Sequence, residues 1–353
     1  MNRRVTLRNV AEEVGVTVAT ASMALRAHPR ISSATTARIL EAAERLGYIY
    51  NRAAANLRQT RSSLVAVCVS DLSNPVFNEF LVHLEDELRA HGKQVFLGIA
   101  RDDLTLQRQF LQTALEQGVG GLLLLAVRGT TRAELSGLWP EGQPKPLVPT
   151  VLFSRALDDV ALPQFINDDV EAGRLAAQCL IDHGHRRLAW VGGGQQTSTA
   201  RNRQAGAELA IAAAGLPPPE LLHGPTLRQF GLEVAHQLLA RPEAPERPTG
   251  AICFSDLIAF GLVAGIMQSN TDPASSLSVI GCDDMEEARF SYPPLTTIAV
   301  DKASIGRLAA QSLLDPDARP EQVLLPPRLV LRATVGRPRT DAPLSHFLHH
   351  FST

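Results

Sequence analysis

Residues 5–26 read Val5-Thr-Leu-Arg-Asn-Val-Ala-Glu-Glu-Val-Gly-Val-Thr-Val-Ala-Thr-Ala-Ser-Met-Ala-Leu-Arg26. Thr6 and Thr17 each precede an apolar stripe at helical spacing, so both are expected to cap helices. The second helix is predicted over Val18–Ala27, and Gly15 allows a sharp turn between the two. Helix, glycine-containing turn and helix is the layout of a helix-turn-helix.

A third helix is predicted after Ser32 or Ser33, with Gly47 as its stop. Its inward residues are expected to be Ile39, Leu40, Ala43 and Leu46. An ordinary three-helix bundle with no role at a nucleic acid would show the same spacing.

Charge separates this segment from the rest of the chain. Residues 1–61 hold ten arginines against four acidic residues, a net charge of +6, whereas the whole chain carries −2. A basic head on an acidic body suggests that the head binds a polyanion, although a solvated basic face would look the same.

Composition sets the broad class. The chain has 353 residues, of which 45% are hydrophobic and 20% charged, and this excludes a largely disordered protein. The apolar runs are too short to span a bilayer, and the first residues lack a signal-peptide core. Four widely spaced cysteines predict buried, reduced thiols, and neither metal nor cofactor is expected. We therefore expect a cytoplasmic protein that does not bind membranes.

From Ser63 onward, short apolar strands alternate with helices, which predicts parallel sheets covered on both faces. The predicted helices are one carrying Phe77, Phe80, Leu84 and Leu88, then others near 170–183, 201–214 and 256–268. The predicted strands are Leu64–Val69, Gln94–Ala100, Gly121–Ala126, Thr150–Phe153, Leu188–Val191, Gly250–Phe254 and Leu277–Gly281. Two such α/β lobes suggest a hinged protein that binds a ligand between them.

Polar side chains follow several of these strands, and ligands of open α/β sheets sit beyond the carboxyl ends of strands. Candidate cleft residues on this ground are Asn74, Phe77, Asp103, Ser154 and Arg155. Asp102 and Arg128 also follow predicted strands.

The residues quoted at the start resemble the N-terminus of the lactose-repressor (LacI/GalR) family of transcription regulators. So does Ile31-Ser32 running on to Leu46-Gly-Tyr-Ile-Tyr-Asn51, and Asn51–Arg58 resembles the hinge helix of that family. Landmarks at Asn74–Phe77, His183–Trp190, Gly281–Asp284 and Pro293–Thr297 extend the resemblance to about Gly336.

The resemblance implies an all-α helix-turn-helix head with a hinge helix, then a two-lobed, periplasmic-binding-protein-like α/β core with two parallel sheets. The expected domains are the head at 1–50, the hinge and linker at 51–62, the core at 63–340 and a short tail at 341–353. Within the core, the first lobe is expected at about 63–160 plus 300–322 and the second at about 161–299 plus 323–340.

The resemblance also assigns DNA contacts. Val18, Ala19 and Met23 would read bases, and Leu57 would wedge into the minor groove. The other expected contacts are Thr6, Thr17, Thr20, Ser22, Arg26, Arg30, Tyr48, Asn51, Ala53, Ala54 and Arg58. The three base readers cannot form bidentate hydrogen bonds, a departure from many relatives that shifts discrimination toward Arg30, the hinge and DNA shape.

In the second lobe, Arg203 matches the effector-contacting arginine of the family, and Ser255, Asp256 and Asp283 match its polar cleft positions. Salt bridges involving Arg203 and Asp283 are the structural alternative. The resemblance implies that the effector is a sugar or a related polar metabolite, although Ser154 and Ser255 replace residues that bind sugar hydroxyls in many relatives.

These expectations describe a ligand-responsive repressor that binds a near-palindromic, double-stranded DNA operator as a homodimer and is not an enzyme. Two alternatives remain. A nucleotide-dependent enzyme is suggested by the glycines of Trp190–Gln196, which lack a complete phosphate-binding signature. A free-standing solute-binding protein would require an export signal.

Overall fold

The computed structural model describes residues 5–25, 28–48, 62–139, 142–194, 196–241, 247–270, 272–315 and 321–338. The chain divides into two compact units, residues 1–62 and 63–353. None of the described helices is long and apolar enough to cross a membrane.

The first unit is built on three helices: α1 (Leu7–Val14), α2 (Val18–Ala24) and α3 (Ser33–Arg45). Thr17 caps α2, since its Oγ1 accepts from the Thr20 amide at 3.1 Å, and Ser32 caps α3 by accepting from the Thr35 amide at 3.2 Å. Gly15 and Gly47 adopt left-handed φ values of 76° and 66°, as sharp helix stops require. The three helices enclose a small apolar core around Val10, Ala21 and Ile39.

Two details of the head differ from the prediction. Helix α2 ends at Ala24 rather than Ala27, because the His28 amide turns back to donate to the Met23 carbonyl. Leu40 is 51% exposed, and Ala42 is buried in its place. Ala42 lies three residues after Ile39 and therefore shares its helix face, whereas Leu40 points about 100° away.

The second unit begins with a sheet in the first lobe. Its elements are β1 (Leu64–Val69), α4 (Pro75–Ala90), β2 (Gln94–Ile99), α5 (Leu104–Glu116), β3 (Leu122–Leu124), a 3₁₀ turn (Ser136–Leu138), β4 (Thr150–Phe153) and β5 (Gln164–Asn167). A late strand, β11 (Gln322–Leu325), completes the parallel order β11-β5-β4-β3-β1-β2.

The second lobe follows. It comprises α6 (Asp169–Asp182), β6 (Leu188–Val191), α7 (Ser198–Ala213), β7 (Glu220–Leu222), α8 (Arg228–Leu239), β8 (Gly250–Cys253), α9 (Asp256–Gln268), α10 (Pro273–Ser276), β9 (Ser278–Asp283), α11 (Glu287–Phe290) and β10 (Thr296–Ala299). The strand order is β12-β10-β9-β8-β6-β7, in which only the pairing of β12 (Arg328–Val330) with β10 is antiparallel within the described chain. Helix α12 (Lys302–Leu314) returns the chain to the first lobe.

The crossing points correct the predicted lobe boundaries. Strand β5 (Gln164–Asn167) belongs to the first sheet, beyond the expected switch at 160, and β11 (Gln322–Leu325) lies wholly in that sheet rather than being split at 322. The chain then passes to the second sheet between β11 and β12. The described chain therefore crosses between the two lobes three times: after β5, between β10 and α12, and between β11 and β12.

Helices α6 and α7 pack unusually closely. A Cβ on Gly173 would lie 1.8 Å from the Arg203 carbonyl oxygen, and a Cβ on Gly206 would lie 1.9 Å from the Val170 carbonyl oxygen. Only glycine permits this approach, and it brings Arg203 of α7 against the N-terminus of α6.

Candidate functional site

The outer face of α2 is the candidate DNA-reading surface. Val18 and Ala19 are exposed, and Thr20, Ser22 and Met23 are half-buried, while Ala21 and Ala24 point inward. The helix therefore presents small apolar and hydroxyl side chains from its first two turns.

The remaining predicted DNA contacts are placed differently. Thr6 is an exposed N-cap of α1, Arg30 is exposed, and Tyr48 packs against the head core. Arg26, Asn51, Ala53, Ala54, Leu57 and Arg58 lie outside the described residues, so the hinge helix stays a prediction.

Two of the described head arginines bond to other residues of the head. Arg45 pairs with Glu13 at 2.8 Å, and Arg38 Nη2 donates to the Val14 carbonyl at 3.1 Å. Arg8 and Arg30 form no ion pair with any described residue, so their charges are available to a polyanion.

Between the lobes of the second unit lies a cleft of about 300 Å³. Seven of the nine predicted effector residues line it: Asn74, Phe77, Ser154, Arg155, Arg203, Ser255 and Asp283. Phe77, Phe80, Leu227 and Phe254 add apolar surface, which is the mixture of apolar walls and a few polar groups typical of ligand sites.

The second-lobe wall is organised by Arg203. Its Nε donates to Asp169 Oδ1 at 2.9 Å, and its Nη1 donates to the Phe254 carbonyl at 2.9 Å and to Asp283 Oδ1 at 3.2 Å. Burial opposes the charged form of Arg203, but the nearby negative charges hold its pKa above the ordinary value. Burial raises the pKa of both Asp169 and Asp283 despite the guanidinium. Arg203 and Asp283 therefore form the salt bridge that was the structural alternative to ligand binding. Both side chains also line the cleft.

Four cleft-lining residues have a positive φ: Arg101, Asp102, Ser154 and Asp283. Ser154 has φ 66° and Asp283 has φ 122°, conformations that cost a non-glycine residue roughly 1–3 kcal/mol. Lys302 Nζ stabilises the second of them, because it donates to the Asp283 carbonyl at 2.6 Å and to the Asp284 carbonyl at 3.0 Å.

The first-lobe wall carries a second charge cluster. Asp102 accepts from Arg155 Nη1 at 3.0 Å and from the Arg128 backbone amide at 2.9 Å, and it also bonds the Arg128 guanidinium. Arg155 Nη1 donates in addition to the Ala126 carbonyl at 2.8 Å. Partial burial tends to raise the pKa of Asp102, but Arg155 and Arg128 bring it below the ordinary value.

Three buried polar atoms at the cleft have no hydrogen-bond partner among the described residues. They are Ser70 Oγ, Asn167 Oδ1 and Ser255 Oγ, and all three residues line the cleft. Ser255 also occupies the N-cap of α9 without a side-chain capping bond. Because buried polar groups are almost always paired, these atoms indicate that a polar molecule completes the site.

Two predicted effector residues do not line this cleft. Asp103 caps α5 by accepting from the Thr105 amide at 2.7 Å and the Leu106 amide at 2.9 Å. Asp256 is fully buried beneath the cleft, where it accepts from Thr297 Oγ1 at 2.5 Å and from the Met285 amide at 2.8 Å. Both carboxylates have structural roles, and their contact with an effector stays a prediction.

The cleft also contains residues that the predicted site omitted. Arg101, Asp102 and Arg128 line the first-lobe wall, and Asn167, Thr199 and Phe254 line the rest. The position of Asp102 and Arg128 after strands was the available signal for those two. Asn167 ends a strand that the sequence pattern did not reveal.

The glycine-rich turn after β6 serves packing. Gly192 and Gly193 have left-handed φ values of 88° and 62°, and a Cβ on Gly192 would lie 2.1 Å from Ile258 Cδ1. Trp190 Nε1 donates to the Gly192 carbonyl at 3.0 Å. These contacts explain Gly192 and Gly193 without a bound phosphate.

A helix-turn-helix head and a two-lobed, periplasmic-binding-protein-like body in one chain define a class of bacterial regulators. The family described as "Bacterial regulatory proteins, lacI family" matches residues 6–51, and the "Periplasmic binding protein-like domain" matches residues 177–335. The chain therefore combines a lacI-family DNA-binding head with a periplasmic-binding-protein-like body.

Relatives of known function align over almost the whole chain. The HTH-type transcriptional repressor CytR of Escherichia coli strain K12 is 28% identical over 312 residues, which are 88% of this chain and 89% of the relative. The HTH-type transcriptional repressor PurR of Aliivibrio fischeri strain MJ11 is 28% identical over 336 residues, 94% of this chain and 98% of the relative. The crystal structure of the Lac repressor dimer bound to operator and the anti-inducer ONPF superimposes with a TM-score of 0.81 at 25% identity, covering 95% of this chain and all of that one.

Proposed function

We propose that this protein is a ligand-responsive, sequence-specific transcriptional repressor that binds a near-palindromic operator as a homodimer and holds a sugar or related polar metabolite in the interlobe cleft. The observation that carries the proposal is the pairing, in one chain, of a basic helix-turn-helix head with a cleft that contains unpartnered buried polar atoms. The relatives support it, since CytR and PurR are repressors and the Lac repressor is seen on its operator.

On this proposal α2 lies in the major groove. Val18, Ala19 and Met23 contact base edges, and Thr17, Thr20 and Ser22 lie near the phosphates. Thr6, Arg26, Arg30 and Tyr48, together with Asn51, Ala53, Ala54, Leu57 and Arg58 of the hinge segment, supply the remaining contacts.

The cleft suits binding better than catalysis. Neither Ser70 Oγ nor Ser255 Oγ has a hydrogen-bond partner among the described residues, so no base activates either hydroxyl. The carboxylates of Asp102 and Asp283 are bonded to guanidiniums. We therefore propose a regulator without enzymatic activity, which acts on chromosomal DNA in the cytoplasm.

The second copy has a candidate docking surface on the second lobe. Phe290 is 68% exposed and Tyr292 is 85% exposed, and together with Phe260 and Val263 they border a shallow depression of about 530 Å³. Clustered exposed aromatic residues are typical of interfaces. The dimeric state of the Lac repressor on its operator supports a second copy as the occupant.

The test of DNA recognition is selection of bound duplexes from a random pool with the full chain at 50 and 200 mM salt, with a matched pair of head variants. Ala19→Glu places a carboxylate on the exposed face of α2, whereas Ala37→Glu places one on the exposed face of α3. We expect a two-fold-symmetric site that Ala19→Glu binds at least about tenfold more weakly than the unmodified chain, because like charges meet at the groove.

Ala37→Glu should lose less than about threefold, since it adds the same charge farther from the reading helix. Failure to enrich any symmetric site would reject the proposed function. Equal losses in the two variants would show that α2 is not the reading helix.

A further inference from the structure

The first-lobe wall of the cleft carries more arginine guanidinium groups than carboxylate groups. One carboxylate, Asp102, contacts two guanidiniums, those of Arg128 and Arg155. Arg101 lines the same cleft and forms no ion pair with a described residue. Two of these three cations therefore share one counterion, and Arg101 has none among the described residues.

The other nearby acids do not correct this imbalance. Asp71 accepts from the Ser73 amide at 2.9 Å and from its hydroxyl at 2.6 Å, and it forms no ion pair with a described arginine. Asp103 is bonded to the first turn of α5, where its charge interacts with the helix N-terminus.

Burial makes the imbalance costly. The Arg155 side chain is only 15% exposed, and its other acceptor is the neutral Ala126 carbonyl. Burial, followed by repulsion from Arg128, lowers the pKa of Arg155 although Asp102 opposes this. Burying a cation that shares its only counterion with a second cation costs free energy, and a bound anion would reduce that cost.

The opposite wall carries both signs of charge. Asp283 lines the cleft and contacts the guanidinium of Arg203, which is also bonded to Asp169, and Lys302 Nζ donates to the Asp283 carbonyl at 2.6 Å. A carboxylate beside a guanidinium can accept from and donate to the hydroxyl groups of a polyol. The two walls therefore differ, because the first-lobe wall has a surplus of cations and the second-lobe wall has a carboxylate paired with a guanidinium.

We propose that the effector is an anionic polyol: a molecule with a carboxylate or phosphate group bound at Arg101, Arg128 and Arg155, and hydroxyl groups facing Asp283 and Arg203. This inference rests on the proposed function and narrows its ligand. Guanidiniums bind carboxylate and phosphate through paired, charge-assisted hydrogen bonds, which distinguish an anion from a neutral sugar.

The test is calorimetric titration of the full chain with matched neutral and charged probes: glucose, gluconate, glucuronate and glucose 6-phosphate, then ribose and ribose 5-phosphate. We expect a charged probe to bind at least about tenfold more tightly than its neutral partner, equivalent to about 1.4 kcal/mol. The carboxylate and phosphate arms show which anion the site takes.

Inorganic phosphate tests the anion site without any sugar. Thermal unfolding in phosphate is compared with unfolding in chloride at equal ionic strength, in the unmodified chain, Arg128→Gln and Arg108→Gln. Arg108 lies on α5 outside the cleft, 3.6 Å from Glu134, so its variant makes the same charge change and reports general salt effects. We expect Arg128→Gln alone to lose at least half of the phosphate-induced rise in melting temperature.

Asp102→Asn gives a signature that a merely structural role would not produce. It removes the competing carboxylate, so phosphate affinity should rise by about threefold or more, the opposite of Arg128→Gln. Operator binding without ligand is measured in parallel to keep this inference separable from the proposed function. If operator binding persists while neutral sugars bind as tightly as charged ones, or while phosphate stabilises all variants equally, the anionic effector is refuted and the repressor stands.

Discussion

Gly173→Ala tests whether the close approach of α6 and α7 holds the effector network together. The added Cβ would lie 1.8 Å from the Arg203 carbonyl oxygen, so the helices must part by more than about 1 Å to restore a separation of 3.0 Å. Arg203 Nε and Asp169 Oδ1, 2.9 Å apart, join the same two helices. Parting them by that amount takes the bond beyond hydrogen-bonding distance.

The magnitude follows from two costs. Overpacking costs about 1–3 kcal/mol, and breaking a buried ion pair costs about 3–5 kcal/mol when nothing replaces it. Alanine recovers up to about 1 kcal/mol of helix propensity. Since the helices relax in part, we expect the free energy of unfolding to fall by about 3 kcal/mol.

Urea denaturation followed by circular dichroism measures this change, with the slope checked for constancy. Gly137→Ala is the matched control, because a Cβ there meets nothing within 4 Å, and it should change stability by less than about 1 kcal/mol. If Gly173→Ala unfolds at the same urea concentration as Gly137→Ala, the reasoning about helix approach is wrong.

Two further predictions concern titration and assembly. Burial raises the pKa of Asp256 from 3.8 to about 7. At a pH between these two values the folded state holds a proton on Asp256 that the unfolded state has lost. The free energy of unfolding should therefore fall as the pH rises from about 4 to 7. Asp256→Asn retains an acceptor and a donor, and its unfolding free energy should vary less over this range; an unchanged profile in denaturant titrations would contradict the assignment. Tyr292→Ser should weaken self-association at least about tenfold in sedimentation equilibrium, because it removes an 85% exposed aromatic ring, while Leu147→Ser, at a 56% exposed site in the first lobe, should not.

The head could be predicted almost residue by residue because its signals are local. Thr17, Ser32 and Gly47 act within a turn of their own position, and caps and left-handed stops have short sequence signatures. Leu40 was predicted to face the core, but it lies on the exposed side of the helix. Ala42, a smaller residue two positions later, is buried instead.

The lobe boundaries depended on long-range pairing. Strand β5 is four residues with a polar residue at each end, Gln164 and Asn167, so it lacks the apolar run that marked the other strands. Its partner β11 lies more than 150 residues later and has one buried residue. Neither segment carries local information about which sheet it joins, and Asn167 was missed at the cleft for that reason.

A shared reason explains why Asp103 and Asp256 do not line the cleft. Each carboxylate lies one residue from a side chain that does line the cleft, Asp102 and Ser255. At a strand end the chain turns into a helix, so neighbouring side chains diverge. Asp103 turns to cap its helix, and Asp256 turns under the sheet onto Gly281, where a Cβ would lie 2.2 Å from Asp256 Oδ1. A position after a strand indicates the end of the sheet, but not the direction of each side chain.

The charge asymmetry of the cleft bears on how one small ligand could control the whole chain. Shifting a two-state equilibrium from 1:99 to 99:1 requires a differential binding energy of about 5.5 kcal/mol. Neutral hydrogen bonds contribute about 1 kcal/mol each, whereas bonds to charged groups contribute about 1.5–3 kcal/mol. On the proposed function, pairing Ser70, Asn167 and Ser255 would supply part of this energy, and two charge-assisted bonds at Arg101 and Arg128 would supply most of the rest. A ligand that joins the cation-rich first-lobe wall to Asp283 and Arg203 would gain both contributions only when the lobes are close enough to be bridged, and that dependence on lobe position is what a regulatory ligand requires.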